Sequence, residues 1–188
     1  TIKDSEPIIS PPIKTNKNYF KVVSVPNRDR NIVMMNDTGG QVGFSVVSED
    51  INNDGYDDII LGAPDSDGVM KETTTSGWVY IVFGKNKFSQ AMDLKHEVDV
   101  SFWAGRGGGR NRLGHALASS DINGDGIKDL IIGALHFNGK NNQRVHSGAI
   151  FVVYGKSKLR RINNLEETAD LIILGAHEGD LAGFSISS

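Results

Sequence analysis

The chain contains no cysteine among its 188 residues. This absence excludes disulfide scaffolds, thiolate metal sites and cysteine nucleophiles, although it leaves the cellular compartment open. No apolar run approaches the roughly 20 residues that a membrane-spanning helix needs, so we expect no direct insertion into a membrane. The net charge is only −3 and therefore gives no general reason to expect nucleic-acid binding.

What the chain does have is glycine, at 22 residues, in a composition that is 38% hydrophobic and typical of a globular protein with a real core. Turn-rich all-β folds use glycine in this way. Three of the five prolines lie in the first stretch, "TIKDSEPIISPPIKTNKN". We therefore predict an extended arm or linker over residues 1–18 and a repeat-built domain over residues 19–188.

An internal repeat organises this domain. Five landmarks recur at one constant offset, since 114 − 43 and 121 − 50 both equal 71 and the other three pairs agree. The paired positions are Gly43 and Gly114, Asp50 and Asp121, Gly62 and Gly133, Ser76-Gly77 and Ser147-Gly148, and Tyr80 and Phe151. A third copy begins at Gly183, at a similar offset from Gly114 (183 − 114 = 69). One structural unit is thus used repeatedly, over about 43–113, about 114–182 and from 183 onward.

Each unit contains the signals of about four short strands. In the first unit these are "VGFSVVS", "DIILGA", "GWVYIVFG" and "VDVSFWAG", and "ADLIILGA" matches the last of them in the second unit. The segment "FSQAMDLKHEV" predicts at most a short helical turn. Four strands per unit without a long helix indicate an all-β fold built of β-propeller blades, with a solenoid or a sandwich as the alternatives.

An acidic loop of the form D-x-N-x-D-G-x-x-D stands at the same place in both complete units. Oxygen donors at positions 1, 3, 5, 7 and 9 suit Ca²⁺, which takes about 6–8 oxygen ligands. Glycine at position 6 permits the sharp turn that brings these oxygens together. The predicted ligands of two calcium sites are the side chains of Asp50, Asn52, Asp54 and Asp58 with the carbonyl of Tyr56, and the side chains of Asp121, Asn123, Asp125 and Asp129 with the carbonyl of Ile127.

Other interpretations of these loops are open. An acidic Asx-type surface turn would also use such residues, although two loops in register make that interpretation weaker. Mg²⁺ fits less well, because it resists dehydration and seldom uses an all-protein cage. The loops are not EF-hands, since position 12 needs a bidentate Glu and is Leu61 or Ile132 here.

The combined motifs resemble the FG-GAP repeat of integrin α-chain β-propellers and related bacterial surface proteins. "GFSVVSEDINNDGYDDIILGAP" matches the family pattern almost throughout, and "GHALASSDINGDGIKDLIIGAL" matches with His115 and Leu135 in place of an aromatic residue and proline. The resemblance covers roughly residues 30 to 188. It implies a propeller, usually of seven blades, with structural calcium in its loops. This chain supplies about two and a half units, so we expect a fragment of a longer propeller, with further blades from the same or another chain.

Other constellations predict little chemistry. "GRGGGRNRLG" lacks the pattern of a phosphate-binding loop and is interpreted as a connection between strands, with an anion or glycan contact through Arg106, Arg110 and Arg112 as the alternative. "KSKLRR" is interpreted as a solvated connection. The histidines at 96, 115, 136, 146 and 177 show no metal-ligand spacing, and no nucleophile motif is present. We therefore expect no enzymatic activity in this segment.

These observations favour a calcium-stabilised, metal-binding propeller segment of an extracellular or cell-surface protein that acts in cell adhesion or protein–protein recognition. Adhesion follows from the family resemblance alone. The alternative is a non-catalytic module of a secreted hydrolase or lyase that binds carbohydrate or a lipid headgroup. The expected partner is a protein or glycan ligand and not nucleic acid.

Overall fold

The computed structural model describes residues 33–35, 40–68, 77–88, 91–105, 110–139 and 143–188. The arm predicted over residues 1–18 lies outside the described residues. The described elements are β1 (Val33–Met35), β2 (Ser45–Glu49), β3 (Asp58–Ala63), β4 (Trp78–Val82), β5 (Ala91–Asp93), α1 (Leu94–Glu97), β6 (Val100–Trp103), β7 (Leu113–Ser120), β8 (Asp129–Ala134), β9 (Ala149–Val153), β10 (Ile162–Asn164), α2 (Leu165–Thr168) and β11 (Leu171–Leu174).

The predicted all-β fold is confirmed, and the chain forms a partial β-propeller. Blade 1 consists of the antiparallel strands β2, β3, β4 and β6, and blade 2 consists of β7, β8, β9 and β11 in the same order. The sheet of blade 1 gains a fifth strand, β10, which pairs in parallel with the outer edge of β6. A separate parallel pair joins β1 to β5. The blades are therefore four-stranded, as expected, but the connecting segments add short parallel strands that the sequence pattern did not predict.

The sequence repeat is visible in the positions of the strands. β3 begins at Asp58 and β8 at Asp129, so that 129 − 58 = 71. The same difference separates β4 from β9, β5 from β10, α1 from α2 and β6 from β11. The helical turn expected within "FSQAMDLKHEV" is present as α1, and the second unit has a counterpart, α2, that the sequence analysis did not predict. Each turn comes immediately after a short strand that the sequence did not reveal.

The main core lies between the two blades. Successive side chains of a strand point to opposite faces of the sheet, so each strand can supply alternate residues to one layer. Ile60, Ile81 and Phe102 of blade 1 belong to the same buried cluster as Ile132 and Phe151 of blade 2. Full burial of one such side chain stabilises the fold by about 1.5–3 kcal/mol. A second cluster, which includes Trp78, Tyr80 and Trp103, covers the opposite face of blade 1.

Glycine lets the inner strands of neighbouring blades meet backbone to backbone. A Cβ atom at Gly62 would collide with the carbonyl oxygen of Gly114, and one at Gly133 would collide with the carbonyl oxygen of Gly183. The hydroxyl of Ser45 donates to the carbonyl of Gly114 at 2.7 Å across the first of these contacts. The glycine of the "DIILGA" and "DLIIGA" strands is therefore required by close approach of the next unit.

The same type of turn occurs three times in the described residues, once at the start of each repeat unit. Gln41, Arg112 and Leu181 have left-handed backbones, with φ of 58°, 54° and 54°. In each copy a glycine follows two residues later, with φ between 82° and 85°. The N–H after that glycine donates to the carbonyl of the left-handed residue at 3.1 to 3.2 Å. The residues around Leu181, next to blade 2, therefore have the same turn geometry as the residues around Arg112, next to blade 1.

Candidate metal centre

Both acidic loops lie at the same end of their blades. Residues 50–58 connect β2 to β3, and residues 121–129 connect β7 to β8. The last residue of each loop, Asp58 or Asp129, is also the first residue of the following strand. The loops are therefore held at equivalent positions by the two innermost strands of consecutive blades.

The first loop is folded around its own carboxylates. The two oxygens of Asp50 accept the backbone N–H groups of Asp54 and Gly55, at 3.1 and 2.8 Å. The side-chain oxygen of Asn52 also accepts the N–H of Asp54, at 2.9 Å, and Asp54 accepts that of Tyr56 at 2.9 Å. Bonds from a side chain to the backbone two residues on are Asx turns. The predicted positions 1, 3 and 5 are thus drawn into one compact loop.

The second loop repeats this pattern. Asp121 accepts the N–H groups of Asp125 and Gly126 at 3.1 and 2.9 Å, and Asp125 accepts that of Ile127 at 2.8 Å. The corresponding distances in the first loop are 3.1, 2.8 and 2.9 Å. Asp121 accepts one further N–H, from Gly124 at 2.7 Å. Two different sequences therefore adopt one side-chain and backbone arrangement.

Two left-handed positions shape each loop. Gly55 and Gly126 have φ of 89° and 86°, and a Cβ atom at either would meet nothing within 4 Å. Glycine at this position is therefore required by the backbone angle and not by space. Position 4 is also left-handed, with φ of 58° at Asn53 and 77° at Gly124. Asparagine and glycine are the residue types that adopt this angle most readily.

The ninth position of each loop, Asp58 or Asp129, is fully buried. One oxygen of Asp58 accepts the N–H of Gly84 at 2.8 Å, and the other accepts that of Ile51 at 3.2 Å. Asp129 accepts the N–H of Gly155 in the same way at 2.9 Å. These carboxylates therefore anchor the loop to the turn that follows the third strand of the blade.

In the first loop, one carboxyl group has a raised pKa. Burial raises the pKa of Asp58, and the nearby carboxylates of Asp54 and Asp50 raise that pKa further, while N–H donors at Gly84 and Ile51 oppose the change. Three acidic groups that interact in this way carry a mutual repulsion in the absence of a counter-charge. A bound cation would offset this repulsion.

The two loops are linked across the blade interface by one turn. The N–H of Gly155 donates to Asp129 in blade 2, and the next N–H, of Lys156, donates to the carbonyl of Ile51 in the loop of blade 1 at 3.0 Å. A Cβ atom at Gly155 would approach the backbone of Lys128 and the side chain of Ile127 too closely. Sequence reasoning did not assign this turn a role, although the repeated "FGK" and "YGK" after the third strand was its signal.

The donor set fits a hard cation in its chemistry. An ionised carboxylate has about four lone-pair sites, so a carboxylate oxygen that accepts one N–H retains acceptor capacity. One oxygen of Asp121 and one of Asp129 already accept two N–H groups each, so in these residues the other oxygen is the one with capacity left. Within the described residues, however, no three acidic or histidine side chains are close enough to count as a metal-binding group. The loop carboxylates are directed at the loop's own N–H groups, which is also the geometry of the Asx-turn alternative. The ligand set expected from the sequence therefore remains a prediction.

Several of the other residues considered from the sequence contact neighbouring side chains. Arg112 forms an ion pair with Asp65 of blade 1 at 3.3 Å, so its guanidinium is engaged between the blades. Arg110 is exposed, and Arg106 lies outside the described residues. His136 stacks on His146 with ring centroids 4.5 Å apart. None of these contacts assembles an anion site from the arginines that are described.

Comparison with known proteins gives the family of the repeats. The model of the FG-GAP repeat matches residues 42–82 and 113–153, which are the first three strands of each blade and the loops between them. The predicted resemblance to FG-GAP repeats of the integrin type is thereby confirmed. The matched segments include every predicted metal ligand, although the match does not test metal binding.

Several curated proteins are similar to this chain over most of its length. Integrin alpha-PS5 of Drosophila melanogaster is 30% identical over 144 residues, which are 76% of this chain and 13% of that protein. Integrin alpha pat-2 of Caenorhabditis elegans is 32% identical over 134 residues, 62% of this chain and 9% of that protein. Phosphatidylinositol-glycan-specific phospholipase D of Rattus norvegicus is 30% identical over 120 residues, 64% of this chain and 14% of that protein. The chain thus spans a small part of each of these relatives.

Among the helices of the described ranges, none has the length and apolar character required to cross a membrane.

Proposed function

Because the chain carries two FG-GAP repeats in adjacent blades of a partial β-propeller, we propose that it is a calcium-stabilised, non-catalytic recognition module of an extracellular or cell-surface protein. The observation that carries this proposal is the matching internal bonding of two acidic loops at equivalent positions of the two units. A surface turn with no ligand would not need three carboxylates and an amide in the same arrangement twice. A cation bound in each loop would explain why both loops have that arrangement.

The proposed metal is Ca²⁺, at one site in each loop. In the first loop the ligands are Asp50, Asn52, Asp54, Asp58 and the carbonyl of Tyr56. The equivalent ligands of the second loop are Asp121, Asn123, Asp125, Asp129 and the carbonyl of Ile127. All are hard oxygen donors, which Ca²⁺ accepts in flexible geometry at about 2.3–2.6 Å. Extracellular modules work with calcium affinities of about 10⁻⁴–10⁻³ M, and sites of such affinity would be empty in resting cytosol, so calcium-stabilised loops of this kind would suit an extracellular placement.

A role in adhesion or protein–protein recognition is supported by the similarity to two integrin α-chains. A second role is favoured by a separate observation, the similarity to phosphatidylinositol-glycan-specific phospholipase D. Under it the propeller would bind carbohydrate or a lipid headgroup next to a catalytic domain. A glycan array separates the two roles, because a module that recognises only proteins should give no glycan signal.

Further blades are part of the proposed assembly. Leu171 and Ile173 on the free face of blade 2 are exposed. Their counterparts in blade 1, Val100 and Phe102, are buried because blade 2 packs on that face. A further unit of the same kind would cover the free face of blade 2 in the same way. Such units would come from the same chain or from another one.

Calcium titration by calorimetry tests the metal proposal. We expect two sites in the parent chain, and one site after Asp54→Asn. Asparagine keeps an oxygen that can accept the N–H of Tyr56, so the loop retains this bond while it loses a charge. The matched control is Asp57→Asn, at an exposed acidic residue of the same loop that is outside the ligand set. Equal calcium binding by both variants would contradict the ligand assignment.

A further inference from the structure

The outer edge of blade 1 is closed by a strand from the next repeat unit. β10 pairs in parallel with β6, with Ile162 opposite Ser101 and Asn164 opposite Trp103. The equivalent strand of the preceding unit, β5, pairs in parallel with β1. We call this short strand together with the helical turn that follows it the clasp. Two clasps are therefore described. Each pairs with a strand that comes earlier in the chain than the blade of its own unit: β5 pairs with β1, and β10 pairs with β6.

The clasp satisfies the polar groups of the strand edge. The N–H of Ser101 donates to the carbonyl of Arg161 at 2.7 Å, and its hydroxyl donates to the same carbonyl at 3.1 Å. In the opposite direction the side-chain amide of Asn163 donates to the carbonyl of Ser101 at 3.3 Å. An edge strand without such a partner exposes a row of unpaired N–H and C=O groups.

A leucine fastens the clasp to the core. Asn164 caps the turn of α2 by accepting the N–H of Glu166 at 3.2 Å, and Leu165 is the first residue of that turn. Leu165 is fully buried and belongs to the cluster between the blades. Leu94, at the start of α1 in the other clasp, is also fully buried. The two clasps share little sequence apart from this leucine, which makes it the common apolar anchor.

Among the residues that the structure describes, no clasp lies on the equivalent edge of blade 2. β11 is the outer strand of its sheet in the part of the chain that the structure describes. Its four residues, Leu171 to Leu174, are 43%, 37%, 47% and 37% exposed. The counterpart residues of β6, Val100 to Trp103, are 0%, 0%, 1% and 4% exposed. An apolar edge strand of this kind is a template for pairing with another segment.

From this comparison we infer that the outer edge of β11 binds, in parallel, the clasp segment of another repeat unit. The occupant is a short extended segment followed by a leucine that begins a one-turn helix. A second copy of this chain is not the expected occupant, because both described clasps are already paired. The inference rests on the proposal that further units adjoin the chain, but it does not depend on calcium.

The register of the pairing follows from blade 1. In blade 1 the N–H of Ser101 donates to the carbonyl of Arg161. Ile172 is the counterpart of Ser101, so its N–H should donate to the equivalent carbonyl of the bound clasp. Isoleucine has no hydroxyl, and the second bond made by Ser101 is therefore lost. An asparagine in the clasp can still donate to the carbonyl at position 172 as Asn163 does at position 101. Backbone pairing and the buried leucine thus supply the binding.

The test adds a synthetic clasp to the whole chain. A peptide with the sequence of residues 159–170 is mixed in excess with the 188-residue protein, and backbone hydrogen exchange is followed by mass spectrometry. We expect exchange over residues 171–174 to slow several-fold. The control peptide carries Leu165→Asp and should give weaker protection, because a charged side chain cannot pack against the exposed apolar residues of β11.

Two variants of the protein sharpen the result. Ile172→Pro removes the N–H that should bind the peptide, and proline is tolerated where an edge strand faces solvent. This variant should lose the peptide's protection, while Ile172→Thr should keep it. Unchanged exchange of residues 171–174 in the parent chain would overturn the inference, as would equal protection by both peptides. Protection of residues 171–174 that increases with protein concentration in the absence of peptide would also overturn the inference, because a second copy of the chain would then occupy the edge of β11.

The same exchange experiment is run with calcium and with a chelator. Peptide protection without any calcium binding would support the edge inference and contradict the calcium proposal. Two calcium sites without peptide protection would overturn the edge inference and support the calcium proposal.

Discussion

His115 lies between Phe44 and Phe184, with ring centroids 4.9 and 5.5 Å from theirs. Each of the three rings follows the glycine of the left-handed turn that precedes an inner strand. The three repeat units therefore place one ring each in a continuous row. The sequence motif counts histidine as a departure at this position, but the imidazole keeps the ring-to-ring contact.

We expect this row to make the stability of the fold depend on pH. Burial lowers the pKa of His115 first of all, and Arg112 lowers it further, while the Phe184 backbone and Asp65 oppose the change. The unfolded chain, with a histidine pKa near 6.5, then binds the proton before the folded chain does. The contribution is fully present above that value, so we expect the free energy of unfolding to fall as the pH falls below it.

Urea unfolding between pH 8 and pH 5 measures this effect, and His115→Phe should reduce the pH dependence. His136 contributes in the same direction, since burial and His146 lower its pKa, so some dependence should remain in the variant. His177→Phe, at a histidine whose side chain is 85% exposed, serves as the control. The same slope for parent and His115→Phe would show that the aromatic row does not titrate.

The local parts of this structure were open to prediction, and the long-range parts were not. The internal turns of the acidic loops are shaped by bonds between residues two to seven positions apart, and these residues all lie within one nine-residue pattern. The clasp strands are only three residues long and have no alternating pattern. They pair with a strand that is distant in sequence, as Ile162 does with Ser101, so only the fold reveals them.

The turn between the loops gives a second example. Gly155 belongs to the "YGK" that repeats the "FGK" of the first unit, but its contact with the loop of blade 2 depends on how the third strand returns to that loop. No periodicity in the sequence indicates that the N–H of the next residue, Lys156, donates to the carbonyl of Ile51 in blade 1. Packing between units, and not local propensity, determines this part of the site.

Gly155→Ala should therefore destabilise the chain. The added methyl group would collide with the Lys128 carbonyl and the Ile127 side chain, and overpacking of this kind costs about 1–3 kcal/mol. Chemical unfolding of parent and variant gives the difference directly. Ser157→Ala, at an exposed residue of the same connection, is the control and should be neutral. A neutral Gly155→Ala would mean that the turn has room to move away from the loop.

Leu165→Ala should also destabilise the chain, because it removes the buried anchor of the clasp. A leucine truncated to alanine in a core costs about 2–5 kcal/mol. Thermal unfolding measures the loss, and hydrogen exchange should show that β6 loses protection together with β10. Leu159→Ala is the comparison, since that side chain is only partly buried against the same cluster. Equal losses for the two variants would argue against a special role for the anchor.

The ion pair between Arg112 and Asp65 should contribute little. Both side chains are more than a quarter exposed, at 29% and 28%, and pairs of this kind are worth about 0–1 kcal/mol. A double-mutant cycle with Arg112→Gln and Asp65→Asn should give a coupling energy in this range that decreases as salt is added. A larger coupling that resists salt would show that the pair holds the blades together.

The most direct test of the calcium proposal is a thermal melt of the chain in a chelator, in excess Ca²⁺ and in excess Mg²⁺. Linkage predicts a stabilisation of about 2.7 kcal/mol for each site at a hundredfold excess of free calcium over its Kd. We expect the melting temperature to rise with Ca²⁺ and to stay near the chelator value with Mg²⁺. Identical melting temperatures in all three solutions would contradict the account, because the acidic loops would then be Asx turns without a metal.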